Sequence, residues 1–125
     1  MNSDDRLGKM FSQQKDFMDL LVEKRSFPKF PLDLTKKDSQ IFVKSVVFEA
    51  TGELYEAIIE LKNSKQHRET ELENSLERDK YIEELIDCQH YLIEIALLSG
   101  VTIDEFYQAY LKKGETNSKR IKEGY

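Results

Sequence analysis

Apolar residues recur at the spacing of an α-helix along most of this chain, and polar, proline and glycine residues separate the segments. An apolar residue at i, i+3, i+4 and i+7 gives a helix one hydrophobic face. The only two prolines, Pro28 and Pro31, lie together after the first segment, where each removes a backbone donor and disfavours helix in the preceding residue. The only β-branched cluster, near Ile41, lies inside a longer segment of helical period. The spacing therefore predicts an all-α fold.

The boundaries of four helices follow from residues that start and stop helices. Thr35 and Asp38 resemble a cap at the start of the second helix, and Gly100 is the expected left-handed residue after the third. Thr102 and Glu105 form a T-x-x-E capping box that opens the fourth. The predicted helices span residues 4–25, 35–63, 78–99 and 102–121. The polar segment at 64–77 is expected to be a mobile loop or a short exposed helix.

Composition limits the size and surroundings of the protein. A chain of 125 residues, 34% charged and 39% hydrophobic, is expected to form one domain over residues 1–125 with a four-helix bundle-like core. The net charge of −5 argues against nucleic acid as a partner. Cys88 is the only cysteine, which excludes an intrachain disulfide and favours the cytoplasm. No apolar run approaches the roughly 20 residues of a membrane span, and no signal peptide is found, so we expect no membrane partner.

Two predicted helices carry carboxylates at regular spacing on otherwise apolar segments. On the second helix they are Glu49, Glu53, Glu56 and Glu60. On the third the stripe is Glu83, Asp87, His90 and Glu94, with Glu84 three residues before Asp87. A solvated outer face is the simple interpretation. However, like charges at i, i+4 destabilise a helix unless a cation neutralises them, and Mg²⁺ prefers carboxylate oxygens. The stripes therefore suggest a magnesium site.

Two further helices carry candidate polar contacts. Lys113, Asn117 and Arg120 recur at i, i+4 and i+7 on the fourth helix, where they could clamp phosphate oxygens. The alternative is that these cations complement the helix dipole. Gln14 lies on the apolar stripe of the first helix, and a buried amide must find partners, either in the core or on a nucleobase edge. The apolar neighbours on that stripe are Met10, Phe11, Phe17 and Met18.

Together these residues resemble the superfamily of all-α nucleoside triphosphate pyrophosphatases, which includes MazG-like proteins and the dimeric dUTPases. The motifs of that superfamily are E-x-x-E on one helix, E-x-x-D on the next and K-x-x-x-N-x-x-R near the end. The second is matched by Glu84 and Asp87, and the third by Lys113, Asn117 and Arg120. Weaker similarities are His90-Tyr91, the ending Gly124-Tyr125 and the F-x-x-Q element from Phe11 to Gln14.

The resemblance implies a hydrolase that converts a nucleoside triphosphate, dUTP-like substrates included, to the monophosphate and pyrophosphate. It implies Mg²⁺, with Mn²⁺ as the alternative, held by Glu53, Glu84 and Asp87, and a catalytic Glu49 that orients water. It also implies substrate or phosphate contacts from Lys113, Asn117, Arg120, Gln14, His90 and Tyr125. Members are usually dimeric or tetrameric, so a homodimer or homotetramer is expected.

The chain departs from the family pattern at position 50. The first glutamate of E-x-x-E would fall there, but the residue is Ala50, and Glu49 points about 100° away around the helix. Three explanations are open: the metal has fewer ligands, Glu49 compensates, or Ala50 is an introduced substitution that disables catalysis. The chain also lacks tryptophan, so that Phe48, Tyr55 or Tyr91 would have to contact the base, although core packing is the simpler interpretation of each.

Two other classes of function compete with the hydrolase. One is a non-catalytic helical module that senses nucleotides or binds a protein, and Ala50 favours it. The other is a di-iron carboxylate bundle, which needs Glu-x-x-His on each of two helices. Asp87 and His90 offer one imperfect copy of that motif, so the di-iron alternative is disfavoured.

Overall fold

A computed structural model describes residues 5–124. Within this range the protein is entirely α-helical and contains no strand, which confirms the predicted fold class and the number of helices. None of these helices is both long and apolar enough to cross a membrane. The helices are α1 (Arg6–Lys24), α2 (Lys37–Ile59), α3 (Arg78–Leu98) and α4 (Ile103–Lys122).

The residues predicted to end α3 and to begin α4 are confirmed in these roles. Gly100 has a φ of +73°, the left-handed conformation that a residue with a Cβ rarely adopts. At the start of α4 the Glu105 N–H donates to Thr102 Oγ1 over 3.1 Å. The Thr102 N–H donates in return to Glu105 Oε2 over 3.4 Å, which completes the capping box.

The predicted cap of α2 was wrong. The Thr35 hydroxyl donates to Asp33 Oδ1 over 2.6 Å, and the Thr35 N–H donates to the same oxygen over 3.0 Å. Because Asp33 binds this side chain in a turn before the helix, α2 begins later, with Lys36 at its N-cap and no side-chain capping bond. The helix also ends at Ile59, earlier than the predicted residue 63.

The chain divides into two compact units. One comprises the residues up to Leu32 and those from Ala96 onward, and therefore contains α1 and α4; the other comprises residues 33–95, with α2 and most of α3. In the first unit the buried Phe11 ring packs edge-on against Phe106, with the ring centroids 5.2 Å apart. Met18 is also buried.

The buried apolar face of α1 is narrower than the face that the sequence predicted. Phe11 and Met18 lie in the core, but Met10 and Phe17 are exposed, so their predicted place on the buried face was wrong. Met10 is one residue before Phe11 and Phe17 one before Met18, a rotation of about 100° around the helix that turns them away from the buried stripe.

In the second unit α2 buries small or short side chains. Val46, Ala50 and Ala57 are buried and recur at i, i+4 and i+11, which places them on one stripe of the helix. The polar segment between α2 and α3 is non-helical, so of the two predicted alternatives the short exposed helix is wrong. The Leu72 N–H donates to Asn63 Oδ1 over 2.9 Å and so closes part of this segment into a smaller loop.

Truncation of the Phe11 ring tests its place in the core. We expect Phe11→Ala to lower the free energy of unfolding by about 3–5 kcal/mol, because the substitution leaves a cavity and removes the edge-on ring contact. Urea unfolding followed by circular dichroism measures the change. Phe17→Ala, on the same helix with 51% of the residue exposed, is the matched control and should change the value by less than about 0.5 kcal/mol.

Candidate metal centre

Three carboxylates from two helices meet in the unit formed by residues 33–95. Glu53 of α2 and Glu84 and Asp87 of α3 each offer an oxygen, and these oxygens lie within 4.8 Å of one another. Glu53 and Glu84 are half-buried, whereas Asp87 is exposed. The three residues predicted from sequence as metal ligands are therefore brought together by the fold.

Helix geometry explains how this cluster forms. Glu84 and Asp87 are three residues apart on α3, so they lie on adjacent turns of one face. Glu53 lies on the edge of the α2 stripe that buries Ala50 and Ala57, three residues or about 300° of helix rotation beyond Ala50. A carboxylate in this position is turned partly away from water.

The electrostatics of the cluster resist full ionisation. Partial burial is the largest cause that raises the pKa of Glu53, followed by the negative charge of Asp87, and then those of Glu56 and Glu49. The pKa of Glu84 is raised in the same way, first by partial burial and then by Asp87. The negative charge of Asp87 therefore disfavours ionisation of Glu53 and Glu84, and a bound cation would relieve that repulsion.

One member of the predicted α2 stripe is already paired. The Glu60 side chain is buried and lies 3.3 Å from the Lys80 ammonium of α3, an interaction that raises the pKa of Lys80. No lysine lies at i, i+4 from the stripe residues on α2 itself, so this cation comes from the other helix.

Glu49, the predicted catalytic residue, is exposed and lies outside the cluster of three. Its charge nevertheless contributes to the raised pKa values of Glu53 and Glu94. Glu94 is only 6% exposed, and burial is the main cause of its raised pKa. The sequence signal for Glu94 was its place on the α3 stripe, but spacing alone did not distinguish a buried carboxylate from the exposed Asp87.

Position 50, where the family pattern has glutamate, is inside the protein. Ala50 is 5% exposed. A glutamate here would have to place a carboxylate in a buried position next to the half-buried Glu53. Burial of an unpaired charge is costly, so such a residue would need a cation or a proton.

The remaining predicted contacts are distributed over other parts of the chain. Lys113, Asn117 and Arg120 are exposed along α4, in the unit that does not contain the carboxylate cluster. Gln14 of α1 is 6% exposed, as its place on the apolar stripe predicted. His90 is exposed on α3. Tyr125, a predicted substrate contact, lies outside the described residues.

The aromatic residues considered for base contact differ in their surroundings. Phe48 is 65% exposed and Tyr55 is 64% exposed, so their interpretation as core residues was wrong. Tyr91 is half-buried, and burial, followed by the charge of Glu49, raises its pKa. Phe48 and Tyr55 lie on α2 but on a side distant from Glu53 by about 140–160° of helix rotation.

The chain matches no protein-family model, and no significant match to it is found among curated proteins or solved structures. The carboxylate cluster of Glu53, Glu84 and Asp87 and the sequence motifs are therefore the features of this chain that bear on its function.

A cation should stabilise the protein through the carboxylate cluster. We expect Mg²⁺ or Mn²⁺ to raise the melting temperature of the chain, because the ion binds the folded arrangement and relieves its repulsion. Glu84→Gln should abolish this rise and should itself raise the melting temperature in chelator, since one repelling charge is gone. Glu83→Gln, the adjacent exposed carboxylate outside the cluster, is the matched control. Thermal unfolding by differential scanning fluorimetry measures both effects, and an equal response of the two variants would contradict the site.

The raised pKa of Glu94 predicts a pH dependence. The folded state binds the proton more tightly than the unfolded state, so Glu94 costs stability above its folded pKa, and this cost disappears as the pH falls through that pKa towards the ordinary value of 4.5. Glu94→Gln should therefore stabilise the protein at pH 7 but not at about pH 4. Urea unfolding of both proteins at the two pH values measures the difference. A stabilisation that is the same at both would exclude a titrating carboxylate as its cause.

Proposed function

We propose that this protein is a magnesium-dependent nucleoside triphosphate pyrophosphohydrolase related to the all-α superfamily it resembles. The observation that carries the proposal is the meeting of Glu53, Glu84 and Asp87 within 4.8 Å. These are the positions at which the motifs place metal ligands. The lone Cys88, free and buried, agrees with a cytoplasmic location.

The residues present suit a hard divalent cation. Magnesium binds carboxylate oxygens through few protein ligands and shares its shell with water and substrate phosphates. Two half-buried carboxylates and one exposed carboxylate leave one side of such a site open to solvent and substrate. The absence of His and Cys from the cluster disfavours zinc.

The reaction would break the bond between the α-phosphorus and the oxygen that bridges to the β-phosphate. A water oxygen joins the α-phosphorus, and the products are the nucleoside monophosphate and pyrophosphate. A bound magnesium ion would supply charge neutralisation for the phosphates and a lower pKa for the attacking water. Glu49, exposed one helical turn before Glu53, would orient that water or accept its proton.

Contacts to the rest of the substrate are proposed from the motifs. Lys113 and Arg120 would bind phosphate oxygens, with Arg120 able to do so through two parallel hydrogen bonds. Asn117 would hold the substrate in position, and Gln14, His90 and Tyr125 would contact the remainder of the nucleotide. A dUTP-like substrate is one candidate.

Restoration of the glutamate at position 50 tests the chemistry. We expect Ala50→Glu to raise magnesium-dependent release of pyrophosphate by orders of magnitude, because the added carboxylate would supply the metal ligand that the family pattern places there. The assay follows pyrophosphate release over a panel of nucleoside and deoxynucleoside triphosphates. Addition of Asp87→Asn to this variant removes another proposed metal ligand and should abolish turnover with helicity unchanged.

The stability of the same variant provides an independent control. Because position 50 is buried, Ala50→Glu should be less stable than the parent chain in chelator and should recover stability with Mg²⁺. A variant that is destabilised in both conditions and gains no turnover would show that residue 50 does not complete a metal site. Full turnover in the parent chain would instead show that Glu49 suffices.

A second candidate is a nucleotide sensor that binds a triphosphate without hydrolysis. The buried Ala50 favours it, since no carboxylate is present where the family has one. Calorimetric titration with Mg²⁺ and a non-hydrolysable triphosphate distinguishes the cases. Binding without any turnover of the natural triphosphates in the parent chain supports the sensor.

A further inference from the structure

Two contacts show how α2 and α3 are aligned. Glu53 of α2 and Asp87 of α3 have carboxylate oxygens within 4.8 Å of each other, and Glu60 of α2 lies 3.3 Å from the Lys80 ammonium. From the first contact to the second, the chain advances by seven residues on α2 and goes back by seven residues on α3. The two helices are therefore antiparallel, and both contacts belong to one register.

Neither charge of the second contact suits its own helix. Glu60 is the C-cap of α2, and Lys80 lies in the first turn of α3. The partial charges at helix ends favour cations at the C-terminus and anions at the N-terminus, which is the reverse of this arrangement. Glu60 is also buried, and a buried carboxylate without a cation is costly. The two side chains are therefore stabilised by each other and not by their own helices.

Lys80 is the cation of α3 that can meet Glu60. The lysine and arginine residues of this helix are Arg78 and Lys80. Arg78 lies two residues earlier, about 200° around the helix, and therefore faces another direction. A shift of α3 by about one turn would place Glu84 opposite Glu60, and a shift the other way would place Leu76 there, before the helix begins. One register therefore neutralises the buried carboxylate, and its neighbours do not.

The buried apolar residues of α2 do little to fix this register. They are Val46, Ala50 and Ala57, and an alanine has only a methyl group to fit between the side chains of a neighbouring helix. Register is normally set where large side chains of one helix fit into the grooves of the other. Small side chains let one helix slide past the other at little cost, and a polar pair is then the means of specifying one alignment.

We propose that Glu60 and Lys80 form a positioning pair, which holds α2 and α3 in the register at which the carboxylate cluster forms. A slip of one residue would move Glu53 by about 1.5 Å along the helix axis and turn it by about 100°. Loss of the pair therefore weakens cation binding, although neither residue is among the three proposed ligands. This effect on binding rests on the metal site of the proposed function, whereas the register can be measured without metal.

A simple effect of charge predicts the opposite result. Glu60 is the largest cause of the raised pKa of Lys80, and Glu84, one turn further along α3, also contributes to it. Lys80 is therefore close enough to the cluster to repel a metal ion, and its removal by Lys80→Met should strengthen metal binding if charge alone matters. If Lys80 positions the helices, the same substitution should weaken metal binding. The direction of the change therefore separates the two roles.

Calorimetric titration of the full chain with Mn²⁺ measures this change. We expect Lys80→Met to raise the Mn²⁺ dissociation constant by at least about tenfold, and Lys80→Arg, which keeps the ion pair, to leave it within about threefold of the parent value. Lys62→Met is the matched control, because it removes a lysine from the exposed Lys62–Glu77 pair of the same unit, and it should leave the constant unchanged. An unchanged or lower constant for Lys80→Met would overturn the proposal.

A double variant separates positioning from a general loss of stability. In chelator, Lys80→Met should lower the melting temperature because it leaves the buried Glu60 carboxylate unpaired, and addition of Glu60→Gln should recover most of that loss. The double variant loses one charge of each sign, so a charge effect on metal binding would cancel. It should still bind Mn²⁺ at least about tenfold more weakly than the parent, since no ion pair fixes the register. Parental affinity in the double variant would contradict the positioning role.

Cross-linking measures the register in the absence of metal. Glu53→Cys with Asp87→Cys, in a Cys88→Ala background, places two thiols at facing positions of α2 and α3. Oxidation by oxidised glutathione in chelator should close the disulfide at least about tenfold more slowly when Lys80→Met is added, because the thiols no longer face each other. Equal rates would overturn the proposal. A slower rate, together with a parent chain that binds no Mn²⁺, would support the positioning pair and contradict the metal site of the proposed function.

Discussion

Repulsion among carboxylates held close together is the constraint on which the second unit depends. Glu53, Glu84 and Asp87 bring three carboxylates within 4.8 Å, and partial burial raises the cost of keeping Glu53 and Glu84 ionised. Within the α2 stripe, Glu60 has a cation partner, since its buried carboxylate lies beside the exposed Lys80. Elsewhere along the stripe the helix packing itself must overcome the repulsion. A bound cation would relieve this repulsion, and that is the physical reason why we propose a functional role for the cluster.

The exposed apolar surface of α2 shows how little of this helix packs within its own chain. Most of the apolar residues on α2 are not inside their own chain, and the buried stripe consists of Val46, Ala50 and Ala57. The helix therefore contributes little volume to the interior of a single copy. The exposed side chains of Leu54 and Ile58 are separated from Glu53 by about 100–140° of helix rotation, so the carboxylate edge and these apolar residues are oriented in different directions.

Local sequence signals predicted the parts of this structure that depend on a few neighbouring residues. The capping box at Thr102 and the left-handed Gly100 are formed within one turn of the chain, and they were predicted correctly. The family motifs, and not helix spacing alone, selected Glu53, Glu84 and Asp87 as neighbours, since spacing gave two longer carboxylate stripes. The predictions that failed depend on competing hydrogen bonds or on residues that are distant in the chain. The Thr35 side chain binds Asp33 and therefore does not cap α2. The partner of Glu60 comes from another helix, and which apolar faces are covered depends on packing that spacing alone does not determine.

The segment between α2 and α3 is exposed at nearly every position from residue 61 to 77, and Asn63 and Leu72 close a smaller loop within it. The residues between that pair, including Lys65, His67 and Arg68, therefore lie in a loop that is closed by its own hydrogen bonds. Replacement or lengthening of this loop would change neither the carboxylate cluster nor the buried stripe of α2. It is therefore the region in which related chains could diverge most freely, and the natural insertion point for a reporter domain or an affinity tag.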